Sequence, residues 1–240
     1  MLVLGIESAS DQCGCALVAE DGVLAETRLA LPRRHAEALA PQMRFVCEQV
    51  GVALGDIDAV AVDHGPGLYT GLRAGLATAK ATAAALGIGL APVGSLEALA
   101  FGAAAVAQPG ETVLSMLDAR RGEVFWAWYR IAAAASTSRI VQLSAPQVGS
   151  PAGLLPALVS PGDRPSGRTV VVGDGALRFA DLLEAENAVI AGPELRFPSP
   201  GAVALLGRER ALAGGTVAPE QVDALYLRSP DARPQPAAPG

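Results

Sequence analysis

Histidine is scarce in this sequence, whose 240 residues contain only His35 and His64. A helix that holds a metal ion can place two histidines four positions apart, so that both imidazoles lie on one face. His35 and His64 are too far apart in the sequence for that arrangement. The sequence therefore excludes a histidine-pair metal site, and we predict no metal ligands in the chain.

Basic residues are also few, with 18 lysines and arginines against 24 aspartates and glutamates, and the formal net charge is −6. Proteins that grip the phosphate backbone of a nucleic acid carry a basic patch that displaces counterions. The overall charge does not provide such a patch. We therefore do not expect this chain to bind RNA by itself.

Aromatic residues make up 4% of the chain, so its core has to be built from alanine, leucine and valine. The three cysteines, Cys13, Cys15 and Cys47, are an odd number and do not indicate a disulfide scaffold; they fit a reducing, cytoplasmic compartment. Glu7 interrupts the apolar start of the chain, and no apolar run approaches the roughly 18 residues of a membrane span. We expect neither a secretion signal nor a membrane segment.

Hydrophobic periodicity divides the first part of the chain into three strands, a helix, a strand, a second helix and a fifth strand. The predicted strands are 3–8, 13–19, 23–31, 57–62 and 90–93, and the predicted helices are 35–50 and 70–86. Gly51 and Gly87 predict where the helices end. Pro41 lies inside the first helical segment, so we expect that helix to start late or to bend in its first turn.

The middle of the chain repeats this order, with predicted strands at 112–117, 123–131, 140–143 and 169–172 and helices at 151–159 and 176–185. Such a repeat is typical of the duplicated α/β fold of the actin, sugar-kinase and heat-shock ATPase superfamily, an RNase H-like architecture with a mixed sheet and flanking helices in each lobe. We predict an N-terminal lobe at 1–105, a smaller C-terminal lobe at 106–228, and a disordered, proline-rich tail at 229–240. A further helix at 199–213 could pack back onto the first lobe.

The most informative segment, residues 63–73, follows a strand, opens a helix and contains Gly65, Pro66, Gly67, Thr70 and Gly71. Glycines let the backbone turn tightly, and the free N–H groups of a helix start can bind an anion. The simpler interpretation is a strand–helix turn that needs glycine, and the residues alone leave both interpretations open. The segment lacks the Gly-Lys-Ser/Thr ending of a phosphate-binding P-loop.

Residues 65–73 read Gly-Pro-Gly-Leu-Tyr-Thr-Gly-Leu-Arg. They resemble the Gly-Pro-Gly-Ser-Phe-Thr-Gly-Leu-Arg signature of the TsaB family, with Leu68 and Tyr69 in place of Ser and Phe. The resemblance covers nearly the whole chain and includes residues 4–8, 34–35, 39–41, 94–99, 118–124 and 225–228. It implies a non-catalytic subunit that is required for the threonylcarbamoyladenosine (t6A) modification of tRNA and that supports the related transferase TsaD.

TsaD-like proteins share this fold and hold a metal between their lobes through two histidines on one helix, a pair that this sequence lacks. Superfamily ATPases bind nucleotide through glycine-containing turns. Here the first turn, residues 7–10, has no glycine, and residues 173–175 are only a faint adenosine-binding turn. We therefore expect a cleft that is retained without catalytic residues and without a cofactor, and weak nucleotide binding is left open.

The hairpin at 118–123 contains Asp118, Arg120 and Glu123, with arginines where a phosphate-binding turn would need small residues. One interpretation is a polar cluster beside the cleft. The other is a solvated turn with local ion pairs, each of which contributes little to stability. The resemblance favours a structured role for these residues without specifying it.

A chain without chemistry of its own needs a surface that binds a partner. Helix 71–86 is rich in glycine and alanine and apolar on more than one side, which suits close approach by another helix; the alternative is that both sides are buried within one lobe. By resemblance, the two N-terminal helices bind TsaD, or a second copy of the chain when it is alone. The predicted contact residues are His35, Leu39, Met43, Thr70, Leu72, Arg73, Leu76, Ala77 and Lys80.

The resemblance thus implies a heterodimer with a TsaD-like catalytic subunit, a TsaE-like ATPase that joins the complex, and tRNA that is reached only through the complex. An alternative from another class is an ATP-dependent enzyme of the same fold, such as a small kinase, which would bind ATP and Mg²⁺ as an isolated chain. A third hypothesis is a homodimer whose second lobe binds another protein.

Overall fold

The computed structural model describes residues 1–31, 34–133, 139–154, 168–184 and 188–228. The strands are β1 (Val3–Glu7), β2 (Cys13–Ala19), β3 (Gly22–Leu29), β4 (Ala59–Gly65), β5 (Leu90–Gly94), β6 (Thr112–Arg120), β7 (Glu123–Ile131), β8 (Ile140–Gln142), β9 (Gln147–Gly149), β10 (Thr169–Val172) and β11 (Val189–Ile190). The helices are α1 (His35–Val50), α2 (Tyr69–Leu86), α3 (Ser95–Ala103), α4 (Asp174–Arg178), α5 (Ala180–Glu184) and α6 (Pro200–Leu212).

Two mixed sheets repeat one topology. The first sheet has the order β3-β2-β1-β4-β5, and the second has the order β8-β7-β6-β10-β11, with β9 also pairing β7. In each sheet the first two pairings are antiparallel and the last two are parallel. The duplicated α/β architecture predicted from the sequence is therefore confirmed, whereas the lobe boundaries at 105 and 228 stay a prediction.

The elements of the first half lie close to their predicted positions. β2 and α1 have the predicted bounds, and α1 and α2 end at Gly51 and Gly87, both in the left-handed conformation. The expected late start is wrong, because α1 begins at His35, and Pro41 lies inside the helix on its exposed side. A bend at Pro41 stays a prediction. α3 was not predicted.

The second half differs more from its prediction. The single helix expected at 176–185 is two short helices, α4 and α5, separated at Phe179. The helix expected at 151–159 begins as a 3₁₀ turn at Pro151–Leu154, and its remainder lies outside the described residues. The tail at 229–240 also lies outside them.

The first sheet is covered on both faces, because alternate residues of each strand point to opposite sides. Its outer face packs under α1 and α2 around Leu4, Ile6, Val60 and Val62, and Cys13 and Cys15 belong to the same cluster. Its inner face packs against α6 and joins a cluster that extends into the second sheet. All three cysteines are buried, and none of them is in a disulfide.

Candidate interaction face and inter-sheet cleft

The glycine-rich segment forms the turn between β4 and α2, and the Gly65–Pro66 peptide is cis. The turn lies on the loop after β1: the Leu68 N–H donates to the Ala9 carbonyl oxygen (2.7 Å), and the Ser8 hydroxyl donates to the Gly71 carbonyl oxygen (2.9 Å). A Cβ atom at Gly71 would lie 2.1 Å from the Ser8 carbonyl oxygen. The glycine therefore lets α2 sit directly against this loop, and anion binding at the turn stays a hypothesis.

Five of the predicted contact residues are buried in the core of the chain, namely His35, Leu39, Met43, Leu72 and Leu76. His35 donates from Nε2 to the carbonyl oxygen of Ser10 (2.9 Å). A partner cannot contact these side chains unless the core opens. The predicted contact set is corrected accordingly, since the apolar residues at helical spacing form the core stripe of each helix.

The outward side of α2 consists of small and polar residues, of which Thr70, Arg73, Ala77, Ala81 and Ala84 are exposed. The exposed residues of the neighbouring α1 include Ala40, Pro41, Arg44 and Phe45. Because α1 and α2 pack side by side on one face of the first sheet, these nine residues share one outward surface, which we call the interaction face. The predicted residues Thr70, Arg73 and Ala77 belong to it, while Lys80 is half-buried beside Asp223 (3.8 Å).

Two tyrosines and an arginine stack at the start of α2. The Arg73 guanidinium lies 3.9 Å from the centroid of the Tyr69 ring, and the Tyr69 and Tyr226 ring centroids are 5.0 Å apart. Tyr226 comes from the C-terminal segment, whose Leu225 N–H donates to the His64 carbonyl oxygen (2.7 Å). The last described residues of the chain therefore contribute to the edge of the interaction face. Tyr226 lies in the 225–228 segment that carries part of the resemblance, and no local pattern in the sequence predicts its contact with Tyr69.

A network of ion pairs connects the two halves across the cleft. Arg120 on the β6–β7 hairpin donates from Nη2 to Asp11 Oδ2 (2.6 Å) in the first half and from Nη1 to Asp118 Oδ2 (3.1 Å). Arg178 donates to the same Asp118 oxygen (2.7 Å). We call Asp11, Asp118, Arg120 and Arg178 the ion-pair clasp. The Asp118 side chain is only 4% exposed and forms a polar cluster with the arginines, whereas Arg121 and Gly122 at the tip of the hairpin are exposed to solvent.

The backbone around the clasp is held in an uncommon conformation. Arg120 and Arg121 have φ angles of 66° and 56°, in the left-handed region that favours glycine. The Asp118 N–H donates to Asp174 Oδ1 (2.8 Å), and burial raises the pKa of Asp174 to about 6 against this hydrogen bond. Glu123 accepts a hydrogen bond from Arg228 (2.8 Å), which ties the C-terminal segment to the same hairpin.

A cavity of about 450 Å³ adjoins the other side of the Gly65–Pro66 turn and is lined by His64, Glu97, Tyr129 and Arg210 among others. Its charged groups are paired with each other, because Arg210 Nη2 donates to both oxygens of Glu97 (2.6 Å each). Burial lowers the pKa of His64, so its imidazole is neutral near pH 7.

Within the described ranges, no three side chains of His, Cys, Asp or Glu are grouped so that they could hold a metal ion. His35 and His64 lie in separate surroundings, one under α2 and the other beside the cavity. No helix in the described part of the chain is long and apolar enough to cross a membrane.

Comparison with known proteins finds a matching family model and relatives that cover nearly the whole chain. Residues 23–157 match the model of the family described as TsaD, tRNA N6-adenosine threonylcarbamoyltransferase. The Escherichia coli protein named tRNA threonylcarbamoyladenosine biosynthesis protein TsaB is 30% identical over 236 residues, which cover 95% of each chain. An uncharacterized protein of Mycobacterium leprae is 35% identical over 97% of this chain, which spans only 56% of that protein's length.

Among solved structures, a Pseudomonas aeruginosa protein described as uncharacterized and similar to peptidase YeaZ matches with a TM-score of 0.79. The match covers 95% of this chain and 99% of the other at 24% sequence identity. At that identity the likeness shows the fold alone, and it agrees with the duplicated α/β architecture described above.

Proposed function

The chain belongs to the TsaB family, and from that premise we propose that it takes part in t6A biosynthesis as a non-catalytic subunit. In this proposal it binds a TsaD-like transferase through the interaction face and supports transfer of the threonylcarbamoyl group to a tRNA adenosine. Binding stabilises the competent arrangement of the transferase, which is a shift in its conformational population rather than chemistry by this chain.

The observation that carries the proposal is the stripe of small residues on the outward side of α2, where Ala77, Ala81 and Ala84 are exposed. A helix lined by alanines admits another helix at short distance. Phe45, 48% exposed on the adjacent α1, and the stacked Tyr69 and Arg73 flank this stripe. Aromatic and arginine side chains provide most of the binding energy in protein interfaces.

The arrangement of the ion-pair clasp supports the proposal that this chain has no catalytic residues of its own. The Arg120 side chain bonds both Asp118 and Asp11, and it stands in the hairpin where superfamily ATPases need small residues to bind phosphate. Asp118 is already neutralised by two arginines. The two metal-binding histidines of TsaD-like proteins are missing from the sequence. The chain is therefore proposed to act on tRNA only through its partner.

The wider assembly follows from the same proposal. A TsaE-like ATPase joins the complex of this chain with the transferase, and the acidic chain, with its net charge of −6, reaches tRNA only within that complex. When the transferase is absent, the interaction face pairs with a second copy of the chain. A standard interface buries about 1,600 Å² in total, which two helices from each partner can supply.

The test is Ala77→Arg, measured by size-exclusion chromatography with light scattering after mixing with the TsaD homologue of the same organism. An arginine at the centre of a closely packed helix pair would be buried without a partner, which costs about 3 kcal/mol or more and lowers affinity at least about 100-fold. We expect the one-to-one complex of the wild type to be lost, while the melting temperature stays within about 2 °C of the wild type.

The matched control is Leu212→Arg, which adds the same charge at an exposed helical position on α6, a helix that packs on the opposite face of the first sheet. It should leave the complex intact. If Ala77→Arg also leaves the complex intact, this face is not the interface. If the wild type does not bind the transferase at all, the family role is refuted, and calorimetry with ATP and Mg²⁺ then tests the kinase-like alternative.

A further inference from the structure

Two carboxyl groups, Glu7 and Asp63, are buried at the ends of neighbouring parallel strands. β1 and β4 pair with Ile6 opposite Val62, so the residues that follow, Glu7 and Asp63, lie side by side on the same face of the sheet. Both residues are 0% exposed. Nothing in the resemblance or the proposed function assigns them a role as a pair.

Each carboxyl has one oxygen that is hydrogen-bonded and one that is not. Glu7 Oε1 accepts from the Ala9 N–H (2.8 Å), and Asp63 Oδ1 accepts from the Gly65 N–H (2.8 Å) and the Ser95 hydroxyl (2.5 Å). Glu7 Oε2 and Asp63 Oδ2 are buried and have no hydrogen-bond partner among the described residues. An ionised carboxylate in this position would leave a bare negative oxygen inside the protein, which is strongly unfavourable.

The groups that face the pair supply no compensating positive charge. Ser95 from α3 donates a hydrogen bond to Asp63, while Glu97 from α3 carries a further negative charge that is already paired with Arg210. The Cys13 thiol lies nearby on β2. No ion pair in the described part of the chain involves either carboxyl.

The pKa values shift accordingly. Burial, followed by the charge of Asp63, raises the pKa of Glu7 well above its usual range. Burial also raises the pKa of Asp63 to about 7, against the hydrogen bonds from Ser95 and Gly65.

We propose that Glu7 and Asp63 share one retained proton as a pair in the folded chain, and that this proton couples the stability of the fold to pH. The retained proton removes one of the two negative charges that would otherwise be buried side by side. A bound cation is less suited to the site, because Mg²⁺ or Ca²⁺ needs about six oxygen ligands, and no third acidic, histidine or cysteine side chain joins the pair within the described ranges.

The pair is well placed to act on the rest of the first half. Glu7 Oε1 fixes the loop whose Ala9 carbonyl receives the Leu68 N–H of the turn, and Asp63 Oδ1 fixes the start of the same turn through Gly65. Both loops support the start of α2. Loss of the shared proton therefore loosens the contact between β1, β4 and α2.

The stability of the fold should fall as pH rises, because the folded state holds a proton that the unfolded state has lost. Both carboxyls have pKa values near 4 in the unfolded chain, so above about pH 5 the unfolded state holds neither proton. The folded state keeps one until the pH exceeds the raised folded values. Stability is therefore lost as pH rises, with the unfolding equilibrium constant increasing roughly tenfold per pH unit for one retained proton.

The experiment is urea unfolding of the full chain between about pH 7 and about pH 8, where the unfolded histidines and cysteines titrate alike in the wild type and in every variant, so that the slopes are compared with one another. The unfolding constant of the wild type should rise more steeply than that of the variants, by up to about tenfold per pH unit. Glu7→Gln and Asp63→Asn should each lower the slope, because each variant removes one of the two carboxyls that can retain a proton. Glu20→Gln, an exposed residue, is the matched control and should keep the wild-type slope.

A wild type with the same pH slope as Glu7→Gln and Asp63→Asn would overturn the proposal. If the two variants fail to fold, infrared spectroscopy of the wild type decides, since a protonated carboxyl shows a C=O stretch separate from that of carboxylates; its absence near pH 6.5 refutes the shared proton. Added Mg²⁺ or K⁺ that stabilises the wild type but not Glu7→Gln near pH 8 would overturn it as well, because the pair would then hold a metal cation.

Discussion

Replacing Gly71 by alanine tests whether the interaction face is positioned by the close contact of α2 with the loop after β1. The new Cβ would meet the Ser8 carbonyl oxygen at 2.1 Å, whereas real Cβ atoms essentially never come within 3.0 Å of another heavy atom. The obstacle is backbone, so it cannot rotate away. α2 therefore has to move outward by about 1 Å, together with the core residues Leu72 and Leu76 that it carries.

The magnitude follows from three terms. Forcing an extra methyl group into a packed core costs about 1–3 kcal/mol. The hydrogen bonds from Leu68 to Ala9 (2.7 Å) and from Ser8 to Gly71 (2.9 Å) are stretched, at about 1 kcal/mol each. Alanine is a better helix former than glycine by about 1 kcal/mol, which offsets part of this loss. The net loss is about 3 kcal/mol, or a melting temperature lower by about 6–12 °C for a chain of this size.

Thermal unfolding followed by circular dichroism measures the effect, with two variants of the same helix for comparison. Ala81→Gly, at an exposed position, should lose only the helix propensity term of about 1 kcal/mol. Gly75→Ala should cost less than Gly71→Ala, because its Cβ would meet the Ser8 hydroxyl, which can rotate. A Gly71→Ala variant as stable as the wild type would refute the argument that backbone contact fixes α2.

Two further predictions concern backbone conformation and helix capping. Arg120→Gly and Arg120→Ala both remove the ion pair to Asp11, but only glycine relieves the left-handed φ of 66°. The glycine variant should therefore be about 1 kcal/mol more stable than the alanine variant in urea unfolding. Equal stabilities would show that the position is unstrained. Ser199→Ala removes the hydroxyl that accepts from the Ala202 N–H (2.9 Å) at the start of α6 and should cost about 1 kcal/mol, whereas Ser199→Asp should retain the cap and most of the stability. If the aspartate variant were as unstable as the alanine variant, the cap would not explain the loss.

The helices that were predicted correctly have one apolar side and a clear stop. α1 places Leu39, Met43 and Val46 at helical spacing and ends at Gly51, so periodicity and glycine together define it. α3 was missed because it is buried almost all round, with Leu96, Ala98, Leu99 and Ala100 each at most 1% exposed. A helix without a polar side has no period of 3.6 residues for sequence analysis to detect.

The candidate site was only partly predictable for a related reason. Apolar residues such as Leu72 and Leu76 suit an interface as well as a core, and only the position of α2 on the first sheet decides between them. Ala77 was correctly expected to face outward. The pairing of Glu7 with Asp63 was not predictable, since it depends on the register between β1 and β4, which no local pattern encodes.

The ion-pair clasp accounts for the uncommon backbone conformation of Arg120. A hairpin that places Arg120 in the left-handed region costs about 1–2 kcal/mol relative to glycine, so the conformation persists only where the side chain contributes elsewhere. Here the side chain joins the second half to Asp11 of the first (2.6 Å) and shares Asp118 with Arg178. Since Arg120 is 42% exposed, each ion pair alone is weak, and the connection depends on the network as a whole. Arg120 therefore connects the two halves of the chain through the clasp. The interaction face remains the surface through which the chain is proposed to act.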